Sequence, residues 1–123
     1  MERNLTKEEK AAIVRDFEMA LQASLVDSHP ETHITSKGMF GGAGFFVDGE
    51  IFAAWYGDDS VYLKLPEEAR QKLLLVEGAT TEGGHYVKVP SEFMTDVQQL
   101  GYWTGLSVDY VKSLPTKKRK SKK

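Results

Sequence analysis

"KGMFGGAGFFVDGEIFAAWYGDDSVYLKL", residues 37–65, joins a glycine cluster to apolar runs that are separated by two acidic turns. Within it, FFVDGEIF is a strong hairpin signal, because Asp48-Gly49 suits a two-residue turn whose twist matches that of paired strands. GDDS at residues 57–60 supplies a second turn, and the following VYLKL is typical of a third strand. The stretch therefore predicts an antiparallel sheet.

Helical patterns precede and follow these strands. Thr6 and Glu9 have the spacing of a capping box, ahead of an apolar repeat that predicts a helix over residues 7–27. Pro66 opens a short helix, EGATTEGGHYVKVP predicts a further hairpin, and Thr95 is the predicted cap of a last helix. This order predicts an α+β domain in two layers, with an antiparallel sheet of about five strands flanked by N- and C-terminal helices.

The glycines raise the question of a phosphate-binding loop. Such a loop needs a Lys-Ser/Thr pair and a helix whose N-terminus faces the phosphate, and the dinucleotide fingerprint needs that helix too. Here Gly41, Gly42 and Gly44 lead into the strand FFV, so we interpret the cluster as a bend. In the last helix, Gly101 and Gly105 either permit close packing against the sheet or divide the helix.

No arrangement of titratable or nucleophilic residues in the sequence predicts catalysis. His29 and His33 are separated by Pro30, which opposes the continuous helix that would bring them together on a metal. Asp58 and Asp59 are adjacent, and adjacent side chains on an extended chain point to opposite faces. No serine has the context of an activated nucleophile. We therefore expect no enzymatic activity, no metal and no cofactor.

The basic residues are concentrated at the C-terminus. Six of the last seven residues are Lys or Arg, which leaves 10 basic against 18 acidic residues, a net charge of about −8, in the rest of the chain. We expect residues 5–114 to form the domain and residues 115–123 a disordered basic tail. Without aromatic residues, the tail would give only weak, salt-sensitive nucleic-acid binding, or would act as a solubilising terminus. The residues that would contact nucleic acid are Lys117, Lys118, Arg119 and Lys120.

The overall composition is that of a globular domain. Hydrophobic residues make up 41% of 123 residues, enough for a modest core in a single domain. There is no cysteine, no apolar run near the 18 or so residues that span a bilayer, and no signal-peptide core in MERNLTKEEK. We therefore expect a cytoplasmic protein without a membrane partner.

The predicted third strand, EIFAAWYG, is apolar on both faces. Alternation gives each face three apolar side chains, those of residues 51, 53 and 55 on one and of 52, 54 and 56 on the other. One face can pack on the chain's helices, whereas the other needs more helix, a second copy of the chain or a protein partner. The residues predicted to contact a protein are Phe45, Phe52, Trp55 and Tyr56.

A series of short motifs runs along residues 8–114. In order, they are Met39-Phe40-Gly41-Gly42, Gly44, Asp48-Gly49, Tyr62-Leu63-Lys64, Tyr86, Val89-Pro90, Leu100 and Trp103. These motifs resemble the N-terminal domain of the TfoX/Sxy competence regulators, and we expect a stand-alone copy of it without the C-terminal domain. The resemblance implies a sheet flanked by a helix from each end of the chain, like that of secretion chaperones. It implies no catalytic residues.

The functional implication of the resemblance is regulatory. Full-length members of that family carry a second, helix-rich domain and act as positive regulators of DNA-uptake genes, together with a catabolite-responsive transcription factor. We predict a small regulatory domain that binds another protein or a second copy of itself and is linked to transcription. The alternative is nucleic-acid binding through the basic tail, and a third hypothesis is a small ligand bound near the bend at Gly41 to Gly44.

Overall fold

The computed structural model of the chain describes residues 5–39 and 41–115. Five strands form one antiparallel sheet in which each strand pairs with its neighbours in sequence, which confirms the predicted α+β fold. No helix in the described ranges is long and apolar enough to cross a membrane. In chain order, the elements are α1 (Lys7–Ser24), β1 (Ile34–Met39), β2 (Gly42–Val47), β3 (Glu50–Trp55), β4 (Tyr62–Lys64), α2 (Glu67–Leu73), β5 (Tyr86–Lys88), a short 3₁₀ helix (Ser91–Thr95) and α3 (Val97–Ser113).

The start of α1 and the β2–β3 turn form through the local interactions that the sequence predicts. The Thr6 hydroxyl accepts from the backbone N–H of Glu9 at 3.0 Å, and the Glu9 carboxylate accepts from that of Thr6 at 2.9 Å, so α1 begins at a complete capping box. Asp48 and Gly49 have φ values of 52° and 80°, the left-handed pair that a two-residue β2–β3 turn requires. Both the capping box and the hairpin turn are therefore confirmed.

A β-bulge in β3 changes which side chains face the helices. Phe45 pairs with Ala53, whereas the next residue, Phe46, pairs with Ile51, so Phe52 is the extra residue on β3. The Phe52 side chain is fully buried in the hydrophobic core, and its carbonyl accepts a 2.8 Å hydrogen bond from the Ser107 hydroxyl of α3. The bulge thereby turns Phe52 inward, although simple alternation placed it on the face opposite to Trp55.

All three helices pack on one face of the sheet, which we call the inner face. Leu21 of α1, Leu73 of α2 and Val108 of α3 belong to the same core cluster as the inward side chains of the strands. The aromatic ring of Phe17 in α1 contacts that of Trp55 edge to face, with centroids 6.3 Å apart. The strand residues of this cluster are Ile34, Ala43, Phe45, Val47, Phe52, Ala53, Trp55, Leu63 and Val87.

The glycines of α3 let it lie against α1 and the loop that follows. A Cβ atom on Gly101 would lie 2.4 Å from the carbonyl oxygen of Ser24, and one on Gly105 would lie 3.0 Å from the His29 ring. Neither glycine divides the helix, which is continuous over Val97–Ser113. The close packing predicted from these glycines is therefore against the N-terminal helix and its following loop rather than against the sheet.

Two strand predictions and one cap differ from the structure. β1 was not predicted from the sequence, and the hairpin predicted over residues 77–90 contains only β5 and a single bridge between Thr80 and Lys88. Gly83 and Gly84, with φ values of 107° and 70°, lie in the turn between Thr80 and β5, where the sequence predicted a turn. The cap of α3 is Asp96, whose carboxylate accepts from the backbone N–H of Gln99; the predicted cap Thr95 lies in the 3₁₀ helix.

We predict that Ser107→Ala destabilises the fold by about 1–2 kcal/mol. The substitution removes the donor to the buried Phe52 carbonyl, and a buried acceptor left without a donor carries a desolvation cost. Ser113→Ala is the matched control, because that hydroxyl is exposed and donates only to Tyr110 of its own helix. Urea denaturation measures both variants; equal effects would show that the bond to the bulge contributes nothing.

Gly101→Ala should also destabilise, by about 1–3 kcal/mol, although alanine is the better helix former by roughly 1 kcal/mol. The added methyl group would meet a backbone atom of α1, which cannot move aside without separating the helices. Gly38→Ala is the control, because a Cβ atom there meets nothing nearer than 3.9 Å and its φ is not positive. Thermal unfolding of the two variants tests this, and a stabilised Gly101→Ala protein would contradict it.

Candidate functional site

The face of the sheet opposite the helices, which we call the open face, carries a different set of side chains. Ala54 and Tyr62 are buried, at 0% and 6% exposure, yet neither belongs to the core cluster beneath the helices. Strand pairing places them in one row that crosses the whole sheet, since Lys37 pairs with Gly44, Gly44 with Ala54, Ala54 with Tyr62 and Tyr62 with Lys88. The row has small residues at its centre and a lysine at each edge.

A second row lies beside the first. Phe46 pairs with Thr35 on one side and with Ile51 on the other, and Lys64 pairs with Tyr86 at the far edge. Phe46, Ile51 and Tyr86 are half-buried, and none of them packs against the core cluster. The open face is thus an aromatic and aliphatic surface interrupted by lysines.

Tyr56 is the most exposed aromatic side chain of this surface. It follows β3, is 55% exposed, and its ring packs edge to face on that of Tyr62 with centroids 5.3 Å apart. The Tyr62 hydroxyl donates a long, 3.5 Å hydrogen bond to the Asp58 carboxylate. Burial, and next the negative charge of Asp58, raise the pKa of Tyr62, and burial raises the pKa of Tyr86. The hydroxyls of Tyr62 and Tyr86 are therefore neutral donors at physiological pH.

The charges at the open face are mixed. Lys88 donates to Asp59 at 3.0 Å, and this hydrogen bond lowers the pKa of the Asp59 carboxyl. Within the described ranges, Lys37 and Lys64 have no carboxylate within ion-pair distance. Asp58 and Asp59 have separate partners, so they do not form a shared carboxylate pair. The surface offers two free cations and one neutralised cation among its aromatic side chains.

The structure leaves one of the four predicted protein-contact residues at the surface. Phe45 and Phe52 have no exposed area and Trp55 has 1%, because all three belong to the core under the helices. The Trp55 indole N–H donates to the Asp58 backbone carbonyl at 2.7 Å, which anchors the turn after β3. While the chain is folded, these three side chains are too deeply buried to contact a protein partner. Tyr56 alone remains a candidate contact residue.

Sequence reasoning missed the residues that accompany Tyr56. Their signal is the alternation of tyrosine and lysine in two short strands, Tyr62 with Lys64 and Tyr86 with Lys88, which is typical of a half-exposed face. Ile51 could not have been assigned to this face, because the bulge reverses the alternation. The basic tail residues, Lys117, Lys118, Arg119 and Lys120, lie outside the described residues.

One arrangement of catalytic residue types does occur. The Ser28 hydroxyl lies 2.7 Å from His29 Nδ1, and His29 Nε2 lies 2.9 Å from the Asp109 carboxylate. The three residues tie the loop after α1 to α3. The adjacent helix end is the C-terminal one, which presents carbonyl acceptors, whereas an oxyanion intermediate needs N–H donors. The cluster therefore links the loop after α1 to α3 beside carbonyl acceptors.

No metal-ligand cluster is present in residues 5–39 and 41–115: no three Asp, Glu or His side chains come together there. His29 is engaged as described, and His85 Nδ1 lies 3.1 Å from an Arg70 guanidinium nitrogen. Near the bend at Gly41 to Gly44, where the sequence suggested a small-ligand hypothesis, a cleft of about 670 Å³ separates α1 from the strands.

Comparison with known proteins identifies one family. The model of the TfoX N-terminal domain matches residues 27–111, which include the whole sheet and most of α3. Searches of curated proteins and of solved structures gave no match. The matched region covers more than half of the chain and includes every strand that builds the open face. The chain therefore belongs to the TfoX N-terminal domain family, as its motifs suggested.

Proposed function

We propose that this chain is a non-catalytic regulatory domain of the cytoplasm, which binds another protein through the open face of its sheet. One observation carries the proposal: all three α-helices of the described residues pack on the inner face, so the aromatic surface around Tyr56 is left facing outward. Membership of a competence-regulator family supports a role in transcriptional regulation.

The chemistry of the open face suits a protein interface. Tyrosine contributes a large, rigid contact area with a hydrogen-bonding tip, and aromatic residues are enriched among interface hot spots. Tyr56 is the exposed aromatic side chain of this face, and Phe46, Ile51 and Tyr86 form a half-buried floor elsewhere on it. A partner that covers this floor would bury apolar area without disturbing the core. The free lysines would lie at the rim, where charges contribute mainly to orientation and association rate.

The same face is less suited to nucleic acid, even though aromatic side chains on a sheet can stack on bases. The Asp58 carboxylate accepts from Tyr62, and Asp59 neutralises Lys88, so negative charge lies at the tyrosine pair where a phosphate would pass. The chain without its tail also carries a net charge of about −8. Repulsion of phosphates therefore favours a protein as the partner.

The proposal of a non-catalytic role rests on the arrangement of the reactive groups. In the described residues, the Ser28–His29–Asp109 link lies at a helix C-terminus, and the open-face hydroxyl of Tyr62 makes only a long, 3.5 Å hydrogen bond to the Asp58 carboxylate. Tyr62 and Tyr86 have raised pKa values, which makes them poor bases at neutral pH. These features support a role in binding rather than in bond cleavage.

We predict that Tyr56→Ala raises the Kd for the partner by about 10- to 30-fold, as expected for loss of an interface tyrosine. The full chain serves as bait, a captured protein is purified, and its Kd is measured by calorimetry for the wild type and each variant. Tyr102→Ala is the matched control, because Tyr102 is 59% exposed but lies on α3, behind the sheet.

The paired variants make the result decisive. A partner whose affinity falls with Tyr56→Ala and not with Tyr102→Ala supports the proposal. Sedimentation of the same three proteins identifies the case in which the partner is a second copy of the chain. Equal affinities for both variants, or a partner sensitive only to Tyr102→Ala, would place the interface elsewhere and contradict the proposal.

The basic tail gives a separate prediction. Replacing Lys117, Lys118, Arg119 and Lys120 by Gln in the full chain should abolish its weak binding to duplex DNA. The slope of log K against log salt should fall by about 3 to 4, the value for four phosphate contacts. Fluorescence anisotropy at several salt concentrations measures this. Tyr56→Ala should leave DNA binding unchanged; if it weakens binding instead, the open face binds nucleic acid and the protein-partner proposal fails.

A further inference from the structure

We propose that the cleft between α1 and the β1–β2 hairpin is a binding site for an amphipathic anion, a small molecule with a carboxylate or phosphate head and an apolar body. The cleft lies on the helix side of the sheet, away from the open face. Its volume, about 670 Å³, falls within the range of roughly 300–1,000 Å³ that is typical of ligand pockets. The site therefore has room for a ligand of ordinary metabolite size.

The charges that line the cleft favour an anion. Lys7, Lys10 and Arg15 of α1 contribute three cations, and no carboxylate of the described residues lies within ion-pair distance of any of them. The one carboxylate in the lining, that of Glu18, already accepts a 2.6 Å hydrogen bond from Ser36. In a chain whose body is acidic overall, this is a local excess of uncompensated positive charge.

The remaining helix side chains supply an apolar wall. Ala11 and Val14 lie between the cations on the same side of α1, since residues three and four apart share a helix face. Met19 lies at the far end of the helix lining and is 62% exposed, so its side chain has apolar surface that a ligand could cover. An apolar ligand body packed on this wall would bury methionine and valine surface, while its head meets the lysines and the arginine.

The strand side of the cleft is lined largely by glycine. Gly41 has a φ of 82°, and a Cβ on Gly42 would collide with the Trp55 carbonyl, so both have structural reasons to be glycine. Gly38 has neither reason: its φ is not positive, and a Cβ would meet nothing nearer than 3.9 Å. It pairs with the inward-facing Ala43, so a side chain there would project toward α1 and into the cleft. Keeping the cleft open for a ligand accounts for Gly38.

The test uses three probes on the full chain, with calorimetry as the readout. Decanoate, below its micelle concentration, has both the anionic head and the apolar body; decanol lacks the charge, and inorganic phosphate lacks the apolar body. We expect decanoate to bind at least tenfold more tightly than either of the others. Decanol binding as tightly as decanoate, phosphate binding as tightly, or no binding of decanoate would each overturn the proposal.

Two variants locate the site. Lys10→Gln combined with Arg15→Gln should raise the Kd for decanoate by at least about tenfold, because charge-assisted contacts to the head are lost. The control, Lys72→Gln combined with Lys112→Gln, removes the same charge from helix positions outside both the cleft and the open face and should leave the Kd unchanged. If both double variants lose affinity for decanoate equally, the anion is attracted only by the positive charge of the chain in general, and the proposed site is wrong.

Gly38→Val blocks the cleft without touching its charges. Valine is favoured in strands and the backbone there needs no glycine, so the variant should remain folded, as thermal unfolding will verify. We expect it to abolish decanoate binding. Full binding by a folded Gly38→Val protein would mean that decanoate lies elsewhere. None of these measurements depends on the open face, so the outcome is independent of the proposed protein partner.

Discussion

All three α-helices pack on one face of a five-stranded sheet. There is room for both α1 and α3 because Gly101 of α3 has no side chain where it contacts the backbone of α1. With any larger residue at that position, the Ser24 carbonyl and the helix would compete for the same space. The two long helices would then have to spread apart, and the core between them would lose packing density. The freedom of the other face to bind a partner follows from this packing, since no described helix remains to cover it.

The bulge at Phe52 determines what the open face contains. It places the Phe52 ring in the core, and the Phe52 carbonyl accepts a hydrogen bond from the Ser107 hydroxyl. It also turns Ile51 outward beside Phe46. A regular strand would have shown the large Phe52 ring to solvent instead. The resulting surface has small residues at its centre and tyrosines toward the far edge.

The sequence predicted those parts of the fold that depend on neighbouring residues. The capping box at Thr6, the turn at Asp48-Gly49 and the helix after Pro66 each need only a few adjacent side chains. It failed where distant residues decide: β1 is a weak strand by composition and exists because β2 pairs with it, and the bulge is invisible in an alternating apolar run. Three of the four predicted contact residues are consequently core residues, since burial depends on register rather than on hydrophobicity alone.

Strand β1 belongs to both proposed surfaces. Because side chains alternate along a strand, Ser36 and Gly38 face the cleft, whereas Lys37 between them lies on the open face. β1 pairs only with β2, so it is an edge strand, and it has fewer neighbours than any strand at the centre of the sheet to hold it in place. A ligand that contacts Ser36 and a protein that contacts Lys37 would both act on the position of this one strand. Any energetic coupling between the two sites would have to be reciprocal, so that each occupant changes the affinity for the other by the same factor.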